Sequence, residues 1–267
     1  MRRFLPILFC CLNLTFLSAR NLSRHTPTGK AAVDPGSPPQ EVLVAAAADL
    51  KFAMDSLVKA FSANTADISI KIVYGSSGNF FEQISHDAPF DIFFSADLGY
   101  PQKLELQHKT LSPIQLYGTG QLVLWSIKLD PAKEGMNTLL LPAVGHIAIA
   151  NPAHAPYGQR AEESLKYYQL YEKVRDKLVI GENISQAAQF ASTGAADVGI
   201  IALSLALSPQ LQKEGKYWLI PATTHQPLKQ GFVVLSHAKG NEAAKKFADF
   251  VQSEPARAIL KYFGFGE

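Results

Sequence analysis

Cysteine is confined to Cys10 and Cys11. Both lie in the first 19 residues, where Arg2-Arg3 precede an apolar run from Phe4 to Leu17 and the small pair Ser18-Ala19. The run is shorter than the ~20 residues needed to span a bilayer, so residues 1–19 read as a cleaved signal peptide, not an anchor. Leu8-Phe9 before Cys10 lacks the small residues of a lipoprotein signal. With cleavage near Ala19 the exported, periplasmic or otherwise extracytoplasmic protein has no cysteine. That excludes disulfides and thiol chemistry and leaves the core alone to hold the fold.

Basic clusters are missing as well. The formal net charge is +2, with no Lys/Arg run interleaved with aromatics, which argues against nucleic acid as a partner. H-E-x-x-H, a cysteine cluster, a Walker sequence and the G-x-S-x-G elbow are all absent, and no cofactor is expected. The histidines from His86 onward (His86, His108, His146, His154, His225, His237) are scattered without metal-ligand spacing. No nearby pair of carboxylates suggests glycoside hydrolysis. An enzyme is the weaker reading. Its open form is a secreted hydrolase with Ser76 or Ser77 as nucleophile, which needs a histidine within hydrogen-bond reach of that serine. A binding protein needs none.

What is present is a globular composition: 47% hydrophobic and 18% charged residues over 267 positions, enough for one large or two modest domains. Residues 20–40 are rich in Pro, Ser, Gly and Thr and read as a flexible leader. From Glu41 onward strands and helices alternate. Val42–Ala47 is a short apolar strand, followed by a helical stripe through Leu50, Met54, Leu57 and Phe61. Ile68–Tyr74 is a second strand and Phe90–Ser95 a third. Gln121–Ser126, His146–Ala150, Leu178–Ile180, Asp197–Ala202 and Gly231–Leu235 follow. Pro131–Gly135 reads as a loop, and a helix is expected from about Gln159 to Tyr171. Two more helices close the chain. This is too many strands for one compact sheet. The expectation is an α/β fold of two lobes, residues 41–119 plus 231–267 and residues 120–230, each a mostly parallel sheet flanked by helices. Ligands of such sheets bind where the strands end, here in the cleft between the lobes.

Four strand-to-helix corners face that cleft: Ala48-Asp49, Ser76-Ser77, Pro156-Tyr157 and Asn183-Ile184. The helix N-terminus at Gly75-Ser76-Ser77-Gly78-Asn79 carries unpaired N–H groups, two hydroxyls and the positive end of a helix dipole, which suits an anion. Short Gly/Ser turns are also common as plain capped turns. Asp49 sits where a helix N-cap is expected.

With these corners placed, the chain resembles the periplasmic molybdate-binding proteins of ABC uptake systems. The similarity is carried by Val44-Ala45-Ala46-Ala47-Ala48-Asp49-Leu50, Tyr74-Gly75-Ser76-Ser77-Gly78-Asn79-Phe80 and Ala88–Asp97, then by Ile149–Pro152, Ala155-Pro156-Tyr157-Gly158 and Gly181–Ala187. It runs from about Glu41 to Phe265. The resemblance implies two hinged lobes that close on a tetrahedral dianion, molybdate or tungstate, and deliver it to a membrane permease, with the protein a monomer. Sulfate is the alternative anion. By matched position, Ala48, Asp49, Ser76, Ser77, Tyr157 and Ile184 would hold the oxyanion, Ser77 through hydroxyl and N–H, Tyr157 and Ile184 through N–H. Molybdenum would be held only through its oxygens, with no protein ligand on the metal. Two positions depart from the family pattern. Many members have Ser, Thr or Asn at Asp49, and some have a tyrosine hydroxyl at Ala202. A carboxylate ~4 Å from an anion costs roughly 4 kcal/mol per charge pair at an effective dielectric near 20. Asp49 therefore either turns away to cap its helix, which is the expectation, or is neutral when the anion is bound.

Overall fold

This computed structural model describes residues 40–266. The expected signal peptide, and the leader except its last residue, lie outside the described residues. β1 (Gln40–Ala47) runs through buried alanines into a 3-10 turn at Ala48–Leu50 and then α1 (Lys51–Ser62). β2 (Ile68–Gly75), α2 (Ser77–Ser85), β3 (Ile92–Ser95) and α3 (Gly99–Leu106) repeat the unit. Each helix carries the chain back to the same end of the sheet, so β1 pairs in parallel with both β2 and β3. β4 (Gln115–Gly120) then leads to the crossing point, and β5 (Leu122–Ser126) begins a second sheet.

That second sheet is built from a continuous stretch. α4 (Pro131–Glu134), a 3-10 turn at Gly135–Leu140, β6 (Ile147–Ala150), α5 (Pro156–Tyr167) and α6 (Tyr171–Val174) come first. β7 (Leu178–Gly181), α7 (Ile184–Ser192), β8 (Val198–Ala202), α8 (Leu203–Ala206), α9 (Leu211–Glu214) and β9 (Lys216–Leu219) complete it. β10 (Leu228–Val234) returns to the first sheet, followed by α10 (Glu242–Val251) and α11 (Glu254–Tyr262).

The strand orders are β2-β1-β3-β10-β4 and β7-β6-β8-β5-β9. Both follow one plan of three parallel strands, a reversed strand and an edge strand. β10 is antiparallel to β3 and β4, as β5 is to β8 and β9. The two reversed strands are the ones that follow a crossing between sheets. The two sheets with their helices form a first and a second lobe, the α/β architecture expected.

Side-chain alternation along β1 gives the first lobe two cores. Val42, Val44 and Ala46 face α1, α10 and α11 with Met54, Leu57, Phe247 and the stacked pair Phe94–Phe232 (centroids 4.7 Å apart). Ala45 faces α2 and α3 with Phe80, Phe93 and Leu104. The second lobe packs around Trp125, Ile147, Leu165 and Ile200, and Ala47, Ala48 and Ala96 of the first lobe join that cluster. The lobes therefore meet where the first sheet's strands end.

Some local expectations are corrected. Pro131 begins a helix, with proline at its first position and Asp130 accepting from Ala132 N–H at 3.3 Å. α5 starts at Pro156 for the same reason, three residues earlier than expected, and stops at Tyr167. β4 and β9 were not foreseen. They are edge strands, and β4 carries two glycines, so neither has the apolar run of a buried strand. β10 begins at Leu228, before the expected Gly231.

Candidate functional site

The parallel strands of both sheets end at the cleft, and their corners converge. Ala47, Ala48, Asp49, Gly75, Ser76, Ser77, Ala96, Ala155, Pro156, Tyr157 and Ile184 line one cavity of ≈ 10 Å³. All six residues expected at the site are among them. Ala202, by contrast, is buried at the end of β8 and does not line it. The volume is about that of one water-sized sphere and far below the ~300–1,000 Å³ of pockets for drug-sized ligands. A compact ion is the scale of ligand it suits. The lining has no Lys, Arg or His.

Each corner offers neutral donors for a local reason. Ser77 is the first residue of α2 and fully buried, and its Oγ accepts from Ala96 N–H at 3.0 Å. An oxygen that accepts there leaves its own proton free to donate. In α7, the Asn183 side chain takes the N–H groups of Ser185 (3.0 Å) and Gln186 (3.1 Å), so the Ile184 N–H at the first helical position is left without an intrahelical acceptor. In α5, Pro156 has no N–H, Gly158 N–H bonds Ala155 at 2.9 Å, and Tyr157 N–H is the one without a helical partner. The N-termini of α2, α5 and α7 add their positive dipole ends.

Ser76 occupies the N-cap position of α2 with extended backbone, yet its hydroxyl does not cap. It meets His154 Nδ1 at 2.7 Å across the cleft. His154 Nε2 lies 3.6 Å from Glu182 Oε1, which also accepts from Asn79 Nδ2 at 2.6 Å. Gly78 N–H donates to His154 O at 2.9 Å, and Arg160 Nη2 meets Asp97 Oδ2 at 2.9 Å. These contacts tie the lobes together. The histidine once required of a hydrolase is thus present beside Ser76, and its presence does not separate the two readings. The arrangement differs from a catalytic triad: the serine is on Nδ1 and the carboxylate on Nε2, the reverse of the usual order, and no space for an acyl substrate adjoins the buried hydroxyl.

The cap expected of Asp49 is absent. Ala47 precedes the 3-10 turn and Leu50 precedes α1, and neither start has a side-chain cap. The 3-10 turn takes up the helix entry, and the Asp49 side chain points to the crossing strands. Its Oδ2 accepts from Gln230 Nε2 at 2.8 Å, while Oδ1 is buried without a partner. Gln230 Nε2 also donates to Tyr157 Oη at 3.0 Å, and Gln230 Oε1 accepts from Tyr117 Oη at 2.6 Å. Tyr157 Oη and the backbone N–H groups of Asp49 and Leu50 also lie close enough to the carboxyl to help hold its pKa down, though none meets Oδ1 with full hydrogen-bond geometry. Burial outweighs these contacts and pushes the carboxyl up to about 6. Burial and the nearby Asp49 push Tyr157 and Tyr117 well above the usual tyrosine value. Gly120 makes room for this network, since a Cβ there would lie 2.2 Å from Tyr157 Oη and 2.4 Å from Gln230 Nε2. Gln230 and Tyr117 were not anticipated from the sequence. The available signal was a glutamine next to an apolar run, on a strand buried at every residue except Lys229.

Comparison with known proteins agrees with this architecture. The model of the bacterial extracellular solute-binding protein family matches residues 42–266. The molybdate-binding protein ModA of Azotobacter vinelandii is 36% identical over 85% of this chain and 90% of its own length. The protein of that name from Rhodobacter capsulatus is 35% identical over 84% and 88%. The solved structure of the Azotobacter vinelandii periplasmic molybdate-binding protein aligns with a TM-score of 0.79 and 31% identity, covering 85% of this chain and 99% of that one. These relatives are named as binding proteins, not enzymes. On that match, which spans nearly all the described residues, the chain belongs to the family of bacterial extracellular solute-binding proteins.

Proposed function

We propose that this protein captures molybdate or tungstate outside the cytoplasm and hands it to the membrane permease of an ABC transporter, working as an exported monomer without a cofactor. The observation that carries the reading is the convergence of helix N-termini and the Ser77 hydroxyl on one small cavity free of basic side chains. Fixed N–H dipoles stabilise a fully deprotonated oxyanion without a solvation shell of their own. Ala48, Asp49, Ser76, Ser77, Tyr157 and Ile184 form the site in this reading. The lobes expected as residues 41–119 with 231–267 and residues 120–230 turn, in this reading, about the two crossings, whose sheet boundaries fall at residues 120–122 and 219–228. The similarity to named molybdate-binding proteins supports the choice of anion.

Calorimetry with molybdate, tungstate, sulfate and phosphate tests it. Molybdate and tungstate are expected to bind one per chain and to raise the melting temperature. At a hundredfold excess over Kd the gain is about 2.7 kcal/mol. If millimolar molybdate and tungstate leave the melting temperature unmoved while sulfate raises it, the anion is sulfate.

A further inference from the structure

Asp49 is the anomaly of the cavity: an acid with a partnerless oxygen, walled in beside the proposed anion position. It is 1% exposed and lines the cavity. The elements packed against it bring polar groups without charge. α5 brings Tyr157, β4 brings Tyr117, β10 brings Gln230, and α8 brings Ser204, whose Oγ donates to Asp49 O at 2.7 Å. Among the described residues no Lys, Arg or His offsets its charge.

The network also decides which oxygen is available to a proton. Tyr117 Oη donates to Gln230 Oε1, which turns the amide so that Nε2 faces Asp49 Oδ2. An N–H already occupies that oxygen, so a proton on the carboxyl belongs on Oδ1, the atom without a partner. A protonated Oδ1 is one more neutral donor. An ionised one is a like charge held against a dianion in a site with little water.

We propose that Asp49 binds the oxyanion as its neutral acid, donating from Oδ1, so that the protein takes up one proton for each dianion it captures. The proposal rests on the oxyanion reading of the cavity. The raised pKa of the carboxyl makes the proton accessible near neutral pH. Above that pKa, each further pH unit makes protonation tenfold scarcer in the unliganded protein, so affinity declines by roughly tenfold per unit until the pKa of the complex is passed.

The test is calorimetric titration of molybdate between pH 6.5 and 8, where molybdate itself stays deprotonated, in pairs of buffers of different ionisation heat. Wild-type protein is expected to take up close to one proton per molybdate at pH 7.5 and to bind more weakly as pH rises. Asp49→Asn is expected to show no uptake and a flat profile, and to bind up to ~100-fold more tightly than wild type at pH 8. If Asp49→Asn does not fold, Asp49→Ser makes the same comparison of proton uptake with the wild type. Wild-type binding with no uptake and unchanged affinity would overturn the proposal and leave the oxyanion reading intact. Equal uptake by both proteins would overturn it too, by putting the proton elsewhere. Failure of the folded wild type to bind molybdate, tungstate or sulfate would overturn both.

Discussion

At the scale of single residues, the two adjacent serines divide their work. Ser77 keeps a free proton facing the cavity, whereas Ser76 is committed to His154. Ser77→Ala is expected to weaken molybdate binding ten- to a hundredfold, since a hydrogen bond to a charged group is worth about 1.5–3 kcal/mol. It also strips Ala96 N–H of its buried acceptor, so the free protein should melt lower. Ser76→Ala should weaken binding less, and only through the contact between lobes. Equal and negligible effects in calorimetry would move the anion away from this turn. Asp49 makes a separate prediction about stability. An exposed aspartate titrates near ~3.9, and burial moves this one to about 6. The folded chain thus favours the neutral acid, and this contribution is complete below pH ~4 and lost as pH rises through about 6. The loss is on the order of 3 kcal/mol. In the absence of anion, Asp49→Asn should therefore melt higher than wild type at pH 7.5, with the gap closing toward pH 4. A variant that melts lower at pH 7.5 would mean the ionised carboxylate is compensated. The corner residues were legible in the sequence because each lies at a local strand-to-helix junction. The partner of Asp49 was not, since Gln230 lies 181 residues away.

At the scale of elements, the entry to α2 is shaped by the loop it touches. Gly78 N–H reaches His154 O, and a Cβ on Gly78 would sit 2.7 Å from that oxygen. Glycine inside a helix is about 1 kcal/mol less favourable than alanine, so the residue is a local cost accepted for a close approach. Gly78→Ala is expected to leave the ligand-free protein as stable or more so, while weakening molybdate binding by at least ~tenfold through the pairing it blocks. Loss of stability without loss of affinity would show that the loop yields instead. The same close contact explains a misreading. Two prolines in 152–156 look like a fixed loop, yet Pro156 is the first residue of α5, where its missing N–H costs nothing. Pro131 misleads in the same way. Buried parallel strands were readable as apolar runs, whereas β4 and β9 pack one face or an edge and leave no such trace.

At the scale of the whole molecule, two sheets of equal plan are joined by crossings at residues 120–122 and 219–228, and the polar network around Gln230 lies beside both. The two-lobed outline followed from counting strands, but the insertion of β10 between β3 and β4 did not, because pairing order is not a local property. That insertion has a consequence for how the chain acquires its structure. The second sheet draws on residues 122–219 alone and can form as soon as they are together. The first lacks its fourth strand until residue 234, so β4 has no neighbour while most of the chain is already made. Such non-local pairing is slow to form, since loop closure precedes the contacts that reward it. A chain ending at Pro227 should therefore protect the backbone amides of β5, β6 and β8 from hydrogen exchange while those of β1 and β3 exchange freely. Protection of both sheets in that fragment would show that the first lobe assembles without its returning strand. On this order the second lobe can fold early while the first, with the chain's N-terminal end, stays unpaired until residues 228–234 arrive, so the end that is made first is the last to be locked into a sheet.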